Sequence, residues 1–81
     1  MTVQVLLFAG LGQLIGRNRV EAELKDGATY AELKERLASE HPTAAPLIRA
    51  SRIAAGGEFV AAADPVDPQQ ELALIPPVSG G

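Results

Sequence analysis

The chain has 81 residues, 47% of them apolar, no cysteine and a formal net charge of −3. That length sets one small domain, which buries only about 60% of its unfolded surface and so needs an efficient core. The missing cysteines exclude a disulfide framework, a thiolate metal site and a cysteine nucleophile, and the small, interspersed negative charge argues against nucleic acid or an anionic membrane as the partner.

The N-terminal MTVQVLLFAG lacks a basic leader and is broken by Gln4, so it reads as a strand rather than a signal peptide. The strand is expected over Val3 to Ala9. Val3, Val5 and Leu7 share one face; Leu6 and Phe8 share the other with Gln4. Both faces are mainly apolar, which predicts a central rather than an edge position. Leu11, Leu14 and Ile15 then fall at helical spacing, giving a short helix or turn closed by Gly16. Val20, Ala22 and Leu24 alternate with Glu21, Glu23 and Lys25, the pattern of a strand with one wet face.

DGATYAELKERLASEHP carries the clearest local signal. Asp26-Gly27 turns the chain, Thr29 and Glu32 form a T-x-x-E capping box, and Tyr30, Leu33, Leu37 and Ala38 make an apolar stripe. Pro42 stops the helix, predicted over Tyr30 to Glu40. PTAAPLIRAS reads as irregular, with at most a helical turn around Leu47 and Ile48. RIAAGGEFVA is a hairpin turning at Gly56-Gly57, where positive φ is needed. DPVDPQQ is a surface connection. Glu71 to Ile75 is the last strand, with Leu72 and Leu74 on one face, and Pro76 ends it because it has no N–H for the ladder.

One principal helix can cover only one sheet face. The fold class is therefore α+β, a mixed sheet packed on one main helix in the β-grasp arrangement. Residues 1–75 form the domain and 76–81 an extended C-terminal tail. No run approaches the ~20 apolar residues of a membrane helix, and a cytoplasmic protein is expected.

Few side chains offer chemistry. Gly10 and Gly12 begin a dinucleotide-like pattern, but Ile15 stands where its third glycine belongs. His41 has no partners at metal-ligand spacing and suits the end of the long helix, where it can cap carbonyls and interact with the macrodipole. Glu32, Glu35 and Glu40 look like a solvated helix face. Phe59 follows the hairpin turn and faces either core or solvent; the residues alone leave both open.

The tail is more distinctive. Pro76-Pro77 fixes φ twice and aims the chain outward. From Pro76 to Gly81 an extended chain reaches roughly 20 Å. Val78 can anchor in a pocket and Ser79 can hydrogen-bond along a channel. Gly80 and Gly81 narrow the chain to backbone width. The reactive group this suggests is the Gly81 carboxylate itself.

A β-grasp domain ending in Gly-Gly resembles the ubiquitin-like sulfur carriers. ALIPPVSGG resembles the C-terminal signature of the small subunits of molybdopterin synthase, VQVLLFAGLGQLIG their first strand and helix, and RIAAGGEFV their hairpin. Three departures stand out. Gly12-Gln13 replaces a frequent Arg-Glu pair, Gly56 a common Asn, and Pro68-Gln69-Gln70-Glu71 a frequent Asp-Gly-Asp-Glu turn.

The resemblance implies a non-catalytic sulfur-carrying subunit of a sulfurtransferase. A ubiquitin-activating-type adenylyltransferase would use ATP to adenylate Gly81, and sulfur would replace AMP to leave a thiocarboxylate. The tail would then enter the synthase large subunit, in an expected heterotetramer, and donate sulfur to cyclic pyranopterin monophosphate in molybdenum cofactor biosynthesis. No bound cofactor or metal is implied. Phe59 and Ile75 match an apolar docking surface, followed by Pro76, Pro77, Val78, Ser79 and Gly80 as partner-binding tail. The alternatives are a carrier for thiamine, cysteine or tRNA thiolation, or a ubiquitin-like protein modifier.

Overall fold

The computed structural model describes residues 1–77. In chain order the elements are β1 (Thr2–Leu7), α1 (Gly10–Ile15), β2 (Arg19–Glu23), α2 (Tyr30–Glu40), a 3-10 turn (Pro42–Ala44), α3 (Ala45–Ala50), β3 (Arg52–Ala55), β4 (Glu58–Phe59) and β5 (Leu72–Ile75).

The five strands form one mixed sheet in the order β2-β1-β5-β3-β4. β1 and β5 pair in parallel, and the other neighbours are antiparallel. The first and last strands therefore lie side by side inside the sheet. Inward residues Val3, Val5, Leu7, Val20, Ala22, Ile53, Leu72 and Leu74 meet Leu11, Tyr30, Leu33, Leu37, Ala38 and Ile48 in one aliphatic core. All of these lie on one sheet face, as the β-grasp arrangement requires.

Local chemistry explains the best-defined elements. Thr29 Oγ1 accepts from the Glu32 N–H at 3.2 Å while the Glu32 carboxylate accepts from the Thr29 N–H at 3.1 Å, completing the expected capping box of α2. His41 is the C-cap residue, and its backbone N–H donates to Leu37 O. The capping is thus done by the main chain; no imidazole hydrogen bond accompanies it among the described residues. Gly56 and Gly57 both have positive φ and turn β3 into β4.

One expectation holds and two need correction. β1 is interior as expected, although its second face is not covered: Gln4 and Phe8 are exposed and Leu6 is half-buried. A strand can be interior by pairing on both edges without being buried on both faces. The segment read as irregular forms the 3-10 turn and α3, adding Ala44, Ala45 and Ile48 to the core. Pro46 was compatible with a helix because it sits in the first turn, where its missing N–H has no intrahelical role. The connection before β5 is not wholly superficial, because Val66 is buried and its N–H donates to Ala28 O at 2.8 Å. No helix among the described residues is long and apolar enough to cross a membrane.

Candidate docking face and tail root

With the helices on one side, the opposite face of the sheet is bare. Register decides what it shows. Leu6 pairs with Ala73, Arg52 with Ile75, Ala54 with Ala73, and Ala54 with Phe59. Since strand side chains alternate, these residues share the outer face. Phe8 follows β1 by one residue, and its N–H donates to Leu74 O at 3.3 Å, so the alternation carries it beside Leu6.

The outer face has two halves. Towards β2 it is polar: Thr2 Oγ1 donates to Glu23, Gln4 Nε2 donates to Glu21 at 3.3 Å, and Arg19 donates to Gln4 Oε1 at 3.5 Å. Towards β5, β3 and β4 it is apolar, with Leu6, Ala73, Ile75, Ala54 and Phe59, and with Phe8 beyond the end of β1. Phe8 is 47% exposed and Phe59 52%. Large apolar groups grouped on a bare sheet are the usual mark of an interaction surface. Phe59 therefore faces solvent, which resolves the ambiguity in the sequence. The guanidinium carbon of Arg52 lies 3.8 Å from the Phe59 ring centroid and holds that ring against the sheet.

β5 leads directly from this face into the tail. Ile75 is half-buried and is the last residue in register, opposite Arg52. Pro76 is buried and Pro77 exposed. Pro76 therefore offers a partner its fixed backbone direction rather than surface. Val78, Ser79, Gly80 and Gly81 lie outside the described residues.

Glu32 and Glu35 sit apart from this face. Glu32 belongs to the capping box. Glu35 accepts from Arg49 at 3.1 and 3.2 Å, which holds its carboxyl below the usual glutamate range and raises the arginine. A groove of ≈ 440 Å³ between β1 and residues 68–72 lies on the outer face itself, lined by Thr2, Gln4, Leu6, Arg19, Gln70 and Glu71. Among the described residues no three histidine or carboxylate side chains gather to hold a metal.

The sequence reading placed Phe59 and Ile75 on this face but missed Leu6, Phe8 and Arg52. Alternation from Gln4 was the available signal for Leu6 and Phe8. Arg52 carried none, because its position depends on register with β5.

The model of the ThiS family matches residues 5–81. A molybdopterin synthase sulfur carrier subunit of Chlamydomonas reinhardtii is 32% identical over the whole of both chains. Among solved structures, SAMP1 from Haloferax volcanii aligns over the whole of both chains with a TM-score of 0.82 and 27% identity. A structure of H. volcanii small archaeal modifier protein 1 gives a TM-score of 0.80 and 25% identity, over 95% of this chain and 98% of that one. The arrangement is that of the ubiquitin-like β-grasp proteins.

Proposed function

The chain belongs to the ThiS family, and we propose that it is the sulfur carrier subunit of a molybdopterin synthase. The observation that carries this reading is the family match through Gly81, joined to an apolar sheet face from which β5 runs into the tail. The full-length identity with a named sulfur carrier subunit supports it.

In the proposed reaction the Gly81 carboxylate attacks the α-phosphorus of ATP on an adenylyltransferase, and pyrophosphate leaves. A sulfur donor displaces AMP, giving the thiocarboxylate. A carboxylate is a poor electrophile until its oxygen becomes a good leaving group, and adenylation supplies one. Glycine places no β-carbon over the attacked carbonyl. The thiocarboxylate is then the nucleophile towards cyclic pyranopterin monophosphate inside the large subunit, which supplies acids, bases and charge stabilisation. Hydrolysis of the resulting thioester-type link returns Gly81 as a carboxylate, and two such transfers build one dithiolene.

This chain's part is to dock and to deliver. Leu6, Phe8, Phe59 and Ile75 bind the large subunit; Pro76 and Pro77 direct Val78, Ser79 and Gly80 into its channel. Intact mass after incubation with an activating enzyme, ATP and a sulfur donor tests the first half: one oxygen should be exchanged for one sulfur. Adding the large subunit and the pterin tests the second, since the sulfur must leave Gly81 and appear in the product. An unchanged mass with a competent activating enzyme would overturn the proposal.

The likeness to small archaeal modifier protein 1 favours one further reading, isopeptide attachment of Gly81 to lysines of other proteins. It uses the same activated carboxylate. A pterin that gains no sulfur in the presence of the large subunit, with amide-linked adducts of Gly81 instead, would select it.

A further inference from the structure

We propose that Arg52 is a specificity determinant of the docking face, receiving a carboxylate of the synthase large subunit beside the root of the tail. The inference rests on the sulfur-carrier reading and adds to it a charge requirement.

Three observations carry it. Arg52 is exposed, and it forms no ion pair among the described residues. Its guanidinium is nevertheless held in place, 3.8 Å from the Phe59 centroid. An arginine stacked on a ring loses less freedom when it grips a carboxylate than one waving in solvent. Arg52 is also in register with Ile75, so whatever enters along the tail passes it. Lys34 donates to Ser51 O at 2.8 Å on the helix side of the sheet, with Tyr30, Ile53 and Val60, so on the outer face Arg52 is the cation beside Phe59.

Among the described residues no carboxylate forms an ion pair with Arg52. Glu21 and Glu23 share the outer face but lie on β2, three strand spacings from β3. That is about 14 Å, beyond the screening length of about 8 Å at physiological salt. Arg19, beside them, offsets part of their charge. Glu58 pairs with Ala55 and so alternates away from Phe59, and Glu71 lies four residues before Ile75, about 13 Å along the strand. In a chain of net charge −3, this corner is a local positive site next to an apolar one.

The test uses the full chain and the synthase large subunit. Affinity and sulfur transfer are measured at low and high salt for the wild type, Arg52→Gln, Arg52→Glu and the control Arg36→Gln, which removes the same charge from the exposed side of α2. Arg52→Gln should weaken binding roughly tenfold and flatten its salt dependence, Arg52→Glu should weaken it further, and Arg36→Gln should do neither. Melting temperatures should stay together. Wild type that binds and transfers sulfur while Arg52→Glu binds as tightly would overturn this assignment alone. Equal losses of affinity and melting temperature with an unchanged salt slope would also overturn it, as a packing role. Normal large-subunit affinity with slowed adenylation would overturn the choice of partner. Wild type that neither binds nor transfers sulfur would overturn the underlying reading as well.

Discussion

Gln70 fills the space that a β-carbon on Gly56 would occupy, so the hairpin turn and the connection before β5 are fitted to each other. The Gly56 N–H also donates to Glu71 O at 2.9 Å, tying the two segments together. Gly56 has φ 60°, a left-handed angle that Asn tolerates. What disfavours Asn here is the side chain of Gln70. The glycine in the hairpin and the glutamine in the following turn are thus sterically coupled.

The pairing predicts a sign reversal. In the native background Gly56→Asn should cost up to about 1 kcal/mol, because Gln70 must swing away from its contact. In a Gln70→Ser background the same substitution should stabilise by roughly 0.5 kcal/mol, through reduced freedom of the unfolded chain. Denaturant unfolding of the four proteins measures the coupling. The same effect in both backgrounds would show that the two residues act independently.

Ala9 stores strain next to the docking face. It has φ 52° and ψ −134°, and Leu11 N–H donates to Phe8 O at 3.2 Å, closing a turn that glycine suits better at this position. Ala9→Gly should relieve about 1–3 kcal/mol of backbone strain. It should lose about 0.5–1 kcal/mol to unfolded-state freedom. The expected result is a net gain of about 1 kcal/mol, read from chemical denaturation. A destabilised variant would show that Ala9 is not strained as its angles imply.

These turns show what local sequence can and cannot display. α2 was legible to the residue because its start and stop signals, Thr29-x-x-Glu32 and Pro42, are contiguous and act on the backbone they adjoin. The β3–β4 hairpin was legible because Gly56-Gly57 permits little else. α3 was not, because Pro46 is a breaker in a helix interior and neutral in a first turn, and composition alone does not separate the two. The docking face depends on β1 pairing in parallel with β5, strands some 65 residues apart in the chain. Nothing near Arg52 announces Ile75 opposite it, and nothing near Leu6 announces that no second layer covers its face. The tail signature, by contrast, lies in consecutive residues, so the resemblance that suggests its chemistry needs no register between distant strands.

Acid should weaken the fold through two exposed glutamates. The Thr29 backbone N–H holds the Glu32 carboxyl below its ordinary value of 4.5, and the Arg49 guanidinium does the same for Glu35. A carboxyl lowered in the folded state contributes fully above the ordinary value. That contribution is lost as the pH falls through 4.5 and on through the lower folded value. The Glu32→Gln/Glu35→Gln double variant should therefore show a shallower loss of melting temperature in acid than the native chain. Superimposable pH profiles would remove these two groups from the account. Thr29→Ala, tested at neutral pH, should cost about 1 kcal/mol as a lost cap.

Phe8 and Leu11 lie three residues apart and should separate docking from folding. Leu11 is completely buried under the sheet, and Leu11→Ala should cost about 2–5 kcal/mol of stability through the cavity it leaves. The affinity of the folded fraction for the large subunit should change little. Phe8 is half exposed on the outer face, so Phe8→Ala should barely move the melting temperature but weaken binding by about 1–2 kcal/mol. Phe59→Ala should behave like Phe8→Ala, with one difference. Because Arg52 stacks on that ring, Phe59→Ala and Arg52→Gln should combine to less than the sum of their separate losses. Calorimetric titration of the purified variants, with melting curves on the same samples, reads both quantities. If Phe8→Ala and Phe59→Ala lowered stability and left affinity intact, the aromatic pair would belong to the fold, and the partner would have to dock elsewhere.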